Sequence, residues 1–203
     1  MAKITLINDD AGNHSLTADM IITDPPFEMS GQQLHDIISQ YNAPNLLLIC
    51  SLRQLVEFAN ITDYKLGFDF VIDLVAPKQS KSKFQPNYIH AHAVYFYKNK
   101  SVFNRHKGER SDVFTQGYCP TIFRGSRERN EQHGMAKNET AIRDMLTFFD
   151  VSSVVDMFAG SGTVGLACHD LMINCTLIEK DLKNFEIMQQ NFEFLGADEC
   201  TIL

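Results

Sequence analysis

Two clusters of residues in this 203-residue chain have the types and spacing that chemistry needs. The first is Asp24-Pro25-Pro26-Phe27, which directly follows the apolar run Met20–Thr23. Two consecutive prolines fix the backbone and remove two N–H donors, leaving carbonyl oxygens as acceptors beside the Asp24 carboxylate. A carboxylate, a fixed carbonyl and an aromatic ring at the end of a strand can hold a planar base that bears an amine. The acceptors meet the amino hydrogens and the ring offers a stacking face. A rigid loop with a capping aspartate would read the same way.

The second cluster is Asp156-Met157-Phe158-Ala159-Gly160-Ser161-Gly162-Thr163-Val164-Gly165, at a predicted strand-to-helix turn. Closely spaced glycines let the backbone turn sharply and approach a ligand, while the following helix offers free N–H groups. By itself this pattern also fits a dinucleotide or a plain tight turn. An acid, Glu179, follows at the end of the next strand, Cys175-Thr176-Leu177-Ile178, where a carboxylate can hold the two hydroxyls of a ribose. With Asp156 before the turn and Glu179 after it, a nucleoside-type cofactor is the better reading.

Other candidates carry less. His90 and His92 lie on one face of a predicted strand at a metal-friendly spacing, but no third ligand is evident and no metal centre is expected. The five cysteines (Cys50, Cys119, Cys168, Cys175, Cys200) form no Cys-x-x-Cys pair, which fits reduced, buried thiols in a cytoplasmic protein. The longest apolar runs, such as 45–50, are far too short for a bilayer, so no membrane partner is expected.

The net charge of −7 hides an asymmetry. Between Lys78 and Arg129 stand eleven Lys or Arg against Glu109, Asp112 and Glu128, a local net of +8, which leaves −15 for the rest. One basic segment in an acidic chain is the footprint of a surface that meets phosphate, or of a solvated face without a partner. Its candidate phosphate contacts, which would be DNA contacts were the partner DNA, are Lys78, Lys81, Lys83, Arg105, Lys107, Arg110, Arg124, Arg127 and Arg129.

The elements that must position these residues alternate. Strands are predicted over 3–8, 20–23, 45–50, 68–75, 89–97, 151–157 and 175–178, and helices over 30–41, 52–59, 162–171 and 182–195. A further helix, capped by Asn138, carries Ile142, Met145, Leu146 and Phe149 on one face. Strand–helix alternation implies a largely parallel sheet covered on both faces. Residues 98–133 show no sustained period and read as an inserted region.

Together the two motifs resemble the catalytic and cofactor signatures of the amino-methylating DNA methyltransferases. The catalytic motif comes first, so the order is similar to that of the circularly permuted group often called the β class. Ile4-Thr5-Leu6-Ile7-Asn8-Asp9-Asp10 is similar to that group's opening strand and acidic turn. His133-Gly134-Met135-Ala136-Lys137 resembles the family segment His-Pro-x-x-Lys-Pro, with Gly134 and Asn138 in the proline positions. Tyr95-Phe96-Tyr97-Lys98 resembles the end of a late family strand, whereas the Trp that many relatives carry near Val75 is absent.

The resemblance implies a single α/β domain over 1–203, with a Rossmann-like, mixed but mostly parallel seven-stranded sheet, circularly permuted. It implies a short target-recognition insertion over 99–132. S-adenosyl-L-methionine would be the cofactor, held by Asp10, Lys137, Asp156, Phe158, Gly160, Gly162 and Glu179. Asp24, Pro25, Pro26 and Phe27 would be catalytic, and the substrate would be the N6 amino group of adenine in DNA. An aspartate before Pro-Pro leans toward adenine, since cytosine-modifying relatives more often carry serine. Cytosine N4 in DNA, adenine in RNA and a non-catalytic DNA-binding protein on the same fold are the alternatives. Dimers are common in the permuted group, which makes a second copy of the chain a candidate partner. The compact recognition region is compatible with a phage or mobile-element origin.

Overall fold

The computed structural model describes residues 2–78, 83–84, 88–107, 119–124, 139–196 and 199–203. In chain order the elements are β1 (Ile4–Ile7), β2 (Met20–Thr23), α1 (Gly31–Ile38), β3 (Asn45–Cys50), α2 (Leu52–Ala59), β4 (Lys65–Lys78) and β5 (Tyr88–Tyr97). They continue with β6 (Ile122–Arg124), α3 (Glu139–Leu146), β7 (Ser153–Asp156), α4 (Thr163–Asp170), β8 (Asn174–Ile178), α5 (Leu182–Asn191) and β9 (Cys200–Ile202). A 3-10 turn over Ala11–Asn13 follows β1.

Local chemistry starts several of these elements. Ser30 and Ser51 each accept from the backbone N–H three residues on, and Gln33 and Gln54 each reach back to the cap. These capping boxes satisfy orphan donors at both ends of the exchange and fix where α1 and α2 begin. Asp181 caps α5 in a simpler way, accepting from the Asn184 N–H. All six residues of β3 are buried, as a strand covered on both faces requires.

The strands form one sheet in the order β6-β4-β5-β3-β2-β7-β8-β1-β9. Every pairing is parallel except those of β5 with β3 and with β4. Nine strands among the described residues replace the expected seven. The two additions, β6 and β9, are three-residue edge strands whose patterns are too short to carry a period. Edge strands in natural sheets are often kept this short. β6 falls within the region 98–133 read as inserted and joins the sheet there, Val71–Asp73 pairing with Ile122–Arg124.

Side-chain alternation divides the interior into two layers. Met20, Ile22, Leu47, Ile49 and Val154 face the layer covered by α3, α4 and α5, while Ile21, Leu46, Leu48 and Val155 face the layer of α1 and α2. In the first layer Phe68, Phe70, Tyr95, Phe103, Phe123 and Phe149 pack with ring centroids 4.6–6.3 Å apart. Tilted and edge-on pairs at such separations add roughly 0.5–1.5 kcal/mol each beyond area burial. Phe123 thereby ties β6 to the core, and Phe103 ties down the segment after β5.

The sheet order places the two motifs side by side. The chain passes from β2 to β3 through α1 in one direction along the sheet, and from β7 to β8 through α4 in the other. β2 and β7 are neighbours, so the order reverses between them, and ligands of open α/β sheets bind beyond the carboxyl ends of strands at such a point.

Candidate functional site

Because β1, β8, β7, β2 and β3 all run parallel, the residues after them line one edge of the sheet in that spatial order. Asp10 follows β1, Glu179 follows β8, the glycine turn follows β7 and Asp24 follows β2. The structure thus brings the sequence-predicted Asp10, Asp24–Phe27, Asp156–Gly162 and Glu179 to one edge.

The glycine turn is held from both sides. Glu179 Oε2 accepts from the Gly160 N–H at 2.7 Å, and its Oε1 accepts from the Asp181 N–H at 2.8 Å. Asn191 donates to the Ser161 carbonyl at 2.9 Å. Gly160 has φ +54°, and a Cβ built there meets nothing within 4 Å, so the backbone faces open space. Gly162, at φ +87°, begins α4, and a Cβ there would come within 2.7 Å of the Phe192 ring. Any side chain at Gly162 would therefore carry both backbone strain and a clash with the chain just past α5. Each Glu179 oxygen has two lone pairs and spends one on these bonds, leaving capacity for two hydroxyls.

Asp156 joins the two motifs. Its Oδ1 accepts from Thr23 Oγ1 at 2.9 Å and from the Phe158 N–H at 3.1 Å. Thr23 immediately precedes Asp24, so this bond links strand ends 133 residues apart in sequence. Burial pushes the Asp156 carboxyl up to about 7, the Phe158 and Thr23 bonds oppose this, and the nearby Asp24 and Glu179 charges add to the rise. The unfolded chain releases this proton near 3.8 and the folded chain near 7. Between these values the folded state holds the extra proton, so the contribution of Asp156 to stability declines as pH rises. Asp156→Asn cannot ionise. The stability of the wild type relative to this variant, read from urea midpoints, should fall between about pH 4 and pH 7. A difference independent of pH would show that Asp156 does not titrate in this window.

Asp10 accepts from Lys180 Nζ at 2.7 Å and from the Gly12 N–H at 2.9 Å, and the Lys180 bond, with Gly12 second, holds its carboxyl below the usual aspartate range. Lys180, one residue beyond Glu179, was not singled out by the sequence reading.

The Asp24–Phe27 loop is half-buried at Asp24, buried at Pro25, and exposed at Pro26 and Phe27. Phe27 is 47% exposed. The start of α2 grips this loop. Gln54 Nε2 donates to the Pro26 carbonyl at 2.8 Å and to the Met29 carbonyl at 3.2 Å, and Arg53 Nη2 donates to the Phe27 carbonyl at 2.9 Å. Among the hydrogen bonds of the described residues, none is accepted by the Pro25 carbonyl. Sequence reasoning missed Arg53 and Gln54. The only local signal was the Ser51–Gln54 capping pattern, which accounts for one end of the glutamine amide.

The basic residues do not converge. β5 ends at Tyr97, opposite Asn45 at the start of β3, so Arg105 and Lys107 lie toward the amino edge, across the sheet from Asp24. Lys107 Nζ donates to the Phe149 carbonyl at 2.8 Å and pairs with Asp150 at 2.9 Å. It borders a cavity of about 350 Å³ there, with Asp19, Asn45 and Ser152. β4 and β5 instead run past the site edge, since His92 pairs with Cys50 and the ladder continues to Lys78 and Tyr88. Lys78, which pairs with Tyr88, is therefore at the candidate-site edge of the sheet. Arg124, opposite Asp73 in β4, is strongly exposed and approaches the Asp73 carboxylate at 3.5 Å. Lys81, Arg110, Arg127, Arg129 and Lys137, with the segment 133–137, lie outside the described residues. His90 and His92 have ring centroids 5.1 Å apart, and His92 Nδ1 lies 3.2 Å from Asp69. Among the described residues no three His, Cys, Asp or Glu side chains gather as a metal site. None of the described helices is long and apolar enough to cross a membrane.

Neither the family models nor the curated proteins compared with the sequence give a match. Solved structures do. M1.HpyAVI in complex with SAM is 22% identical and superposes with a TM-score of 0.70, over 93% of this chain and 99% of the other. TTHA0409 from Thermus thermophilus has been solved in complex with S-adenosyl-L-methionine. It is 12% identical at a TM-score of 0.65 over 100% and 98% of the two chains. The cytosine-N4-specific PvuII DNA methyltransferase is 13% identical at a TM-score of 0.65, over 90% and 81%. With the mostly parallel sheet, helices on both faces and motifs at the strand-order reversal, these superpositions establish that the chain has the α/β fold of the DNA methyltransferases.

Proposed function

We propose that this chain is an S-adenosyl-L-methionine-dependent methyltransferase that modifies the exocyclic amino group of adenine (N6) in DNA. The observation that carries the reading is the adjacency of β2 and β7, which sets Asp24-Pro25-Pro26-Phe27 beside the Asp156–Gly162 turn. One motif suits an amine-bearing base and the other a nucleoside-type cofactor, and a single edge of the sheet holds both.

The residues present fit S-adenosyl-L-methionine. Glu179 keeps acceptor capacity for two ribose hydroxyls, and the open backbone at Gly160 gives a ligand close approach. Asp10, at the next strand end, is the candidate neighbour of the adenine ring, and Phe158 and Gly162 complete the turn. When bound, the cofactor supplies an electrophilic sulfonium methyl.

Asp24 and the Pro25 carbonyl accept hydrogen bonds from the target amino group. Adenine's amino lone pair is delocalised into its ring, and acceptors on both hydrogens favour a tetrahedral nitrogen that can use it. Phe27 stacks on the base once it has left the duplex. Acceleration then rests on preorganised acceptors and in-line positioning. The proton leaves after the methyl has transferred, so a strong general base is unnecessary.

Adenine rather than cytosine rests on Asp24 in place of serine. The likeness to PvuII methyltransferase keeps cytosine N4 as the second reading, with the same mechanism. Mass spectrometry of nucleosides from DNA incubated with the protein and S-adenosyl-L-methionine separates them. N6-methyladenine is the expected product, N4-methylcytosine would replace adenine by cytosine, and no methylated base would remove the proposal.

DNA contact is assigned to the segment joining β4 to β5. Neutralising Lys78, Lys81 and Lys83 together should make the slope of log affinity against log salt shallower by up to about 3, since each phosphate contact contributes about 0.9. Lys107→Ala should leave the slope unchanged. The opposite pattern in filter binding across a salt series would move the DNA surface to the amino edge.

A further inference from the structure

Gln54 is a polar side chain with 0% exposure, and neither catalysis nor cofactor binding as described above uses it. Its carbonyl oxygen accepts from the Ser51 N–H at 3.1 Å and from Ser51 Oγ at 2.9 Å, which completes the α2 capping box. Its amide nitrogen serves a different segment, donating to the carbonyls of Pro26 and Met29. The Met29 N–H also donates to the Pro26 carbonyl at 3.0 Å, so the turn after Pro26 closes on the atom that Gln54 holds.

Two further bonds from α2 reach the same segment. Arg53 donates to the Phe27 carbonyl, and Glu57 Oε2 accepts from the Gly31 N–H at 2.7 Å. Gly31 sits so close to α2 that a Cβ there would come within 2.3 Å of Glu57 Cβ. Residues 26–31 are therefore fastened to α2 at Pro26, Phe27, Met29 and Gly31. A capping glutamine needs no burial, and most helix caps lie in water. A fully buried one whose amide spans two carbonyls of another loop costs desolvation that only completed hydrogen bonds offset.

We infer that Gln54 is a positioning residue of the candidate catalytic loop: through the Pro26 and Met29 carbonyls it fixes the turn that aims the Pro25 carbonyl and the Phe27 ring. The inference rests on the proposed methyl transfer for its consequence, and on hydrogen bonds alone for its structural part. Proline supplies rigidity only in φ, and two consecutive prolines leave the ψ of Pro26 free. Gln54, together with the Met29 N–H, removes that freedom by holding the carbonyl that rotates with this angle. A misplacement of 1 Å can cost about a hundredfold in rate, so a loop free to swing should lose turnover without losing cofactor.

The chain contains no tryptophan, so Phe27→Trp installs a single reporter in the loop. In that background Gln54→Met removes both ends of the amide at similar volume. Gln54→Glu keeps the acceptor for Ser51 but loses the donor at neutral pH. Arg53→Ala, at an exposed position, removes one fastening without opening the interior and carries the test if a Gln54 variant fails to fold.

Acrylamide quenching of the indole should rise about twofold or more in each Gln54 variant and less in Arg53→Ala. In the Phe27-containing protein the Gln54 variants should lower kcat by about tenfold to a hundredfold. Affinity for S-adenosyl-L-methionine should stay within about twofold. Gln54→Glu should regain part of its kcat, relative to wild type, as pH falls and its carboxyl becomes a donor again. Unchanged quenching in every folded variant would overturn the inference, as would a loss carried wholly by cofactor affinity. If the unmodified protein methylates no DNA, the methyltransferase reading falls, while the quenching experiment still decides whether Gln54 orders the loop.

Discussion

Replacing Asp24 with alanine should lower methyl transfer to DNA by about 10³-fold, the loss that follows removal of one preorganised electrostatic partner. Affinity for S-adenosyl-L-methionine should stay within about twofold. The separation follows from the geometry. Asp24 follows β2, whereas the groups suited to the cofactor follow β7, β8 and β1. Thr23 donates to Asp156 between the two sets, and alanine at 24 leaves that bond in place. Asp24→Asn retains one acceptor oxygen but removes the charge that stabilises a nitrogen becoming positive, so a smaller loss is expected. Phe27→Ala belongs to a different class. It removes a stacking face worth roughly 1–3 kcal/mol per base, and should weaken capture of the extruded base more than it slows the chemical step. Tritiated methyl transfer under single-turnover conditions, with calorimetry of cofactor binding on the same preparations, measures both quantities. Turnover near wild type in Asp24→Ala would show that the Asp-Pro-Pro-Phe loop is not the catalytic centre.

Glu179→Ala should weaken S-adenosyl-L-methionine binding by about a hundredfold or more, because hydrogen bonds to a charged group contribute about 1.5–3 kcal/mol each. The loss has two sources. Alanine removes the acceptor for the ribose hydroxyls, and it releases the Gly160 and Asp181 N–H groups that the carboxylate holds at 2.7 and 2.8 Å. Glu179→Gln separates them. Its amide keeps one acceptor oxygen and turns a donor toward one of two N–H groups, so the turn is strained while part of the hydroxyl recognition survives. Calorimetry should rank affinity as wild type, then Gln, then Ala. If both variants bind as tightly as wild type, Glu179 is a structural brace of the glycine turn and the ribose contact lies elsewhere.

Much of this architecture was legible in the sequence because its determinants are local. The apolar run 45–50, the helical spacing over 30–41 and 52–59, and the glycines at 160 and 162 each act within a few residues of themselves. A buried strand, a helix start and a left-handed turn are dictated at that range, and the structure has all three where the pattern puts them. The cofactor-type turn and the proline loop were readable for the same reason. The edge strands β6 and β9 were not, since three residues carry no period and only pairing with β4 and β1 makes them strands.

Tertiary structure alone decided which distant pieces meet. The sequence by itself determined the two motifs, the alternating elements between them and the basic segment. It did not determine that β2 lies against β7, because sheet order is set by how helices pack on both faces rather than by any local pattern. That neighbourhood lets Thr23 reach Asp156 across 133 residues, and it gives the candidate site both halves. Folding also divided the basic segment, leaving Lys107 paired at the amino edge and carrying Lys78 to the opposite edge, beside the candidate site. Gln54 shows the same limit: it closes the Ser51 cap of α2, but burial against the proline loop gave its amide nitrogen partners that no periodicity encodes.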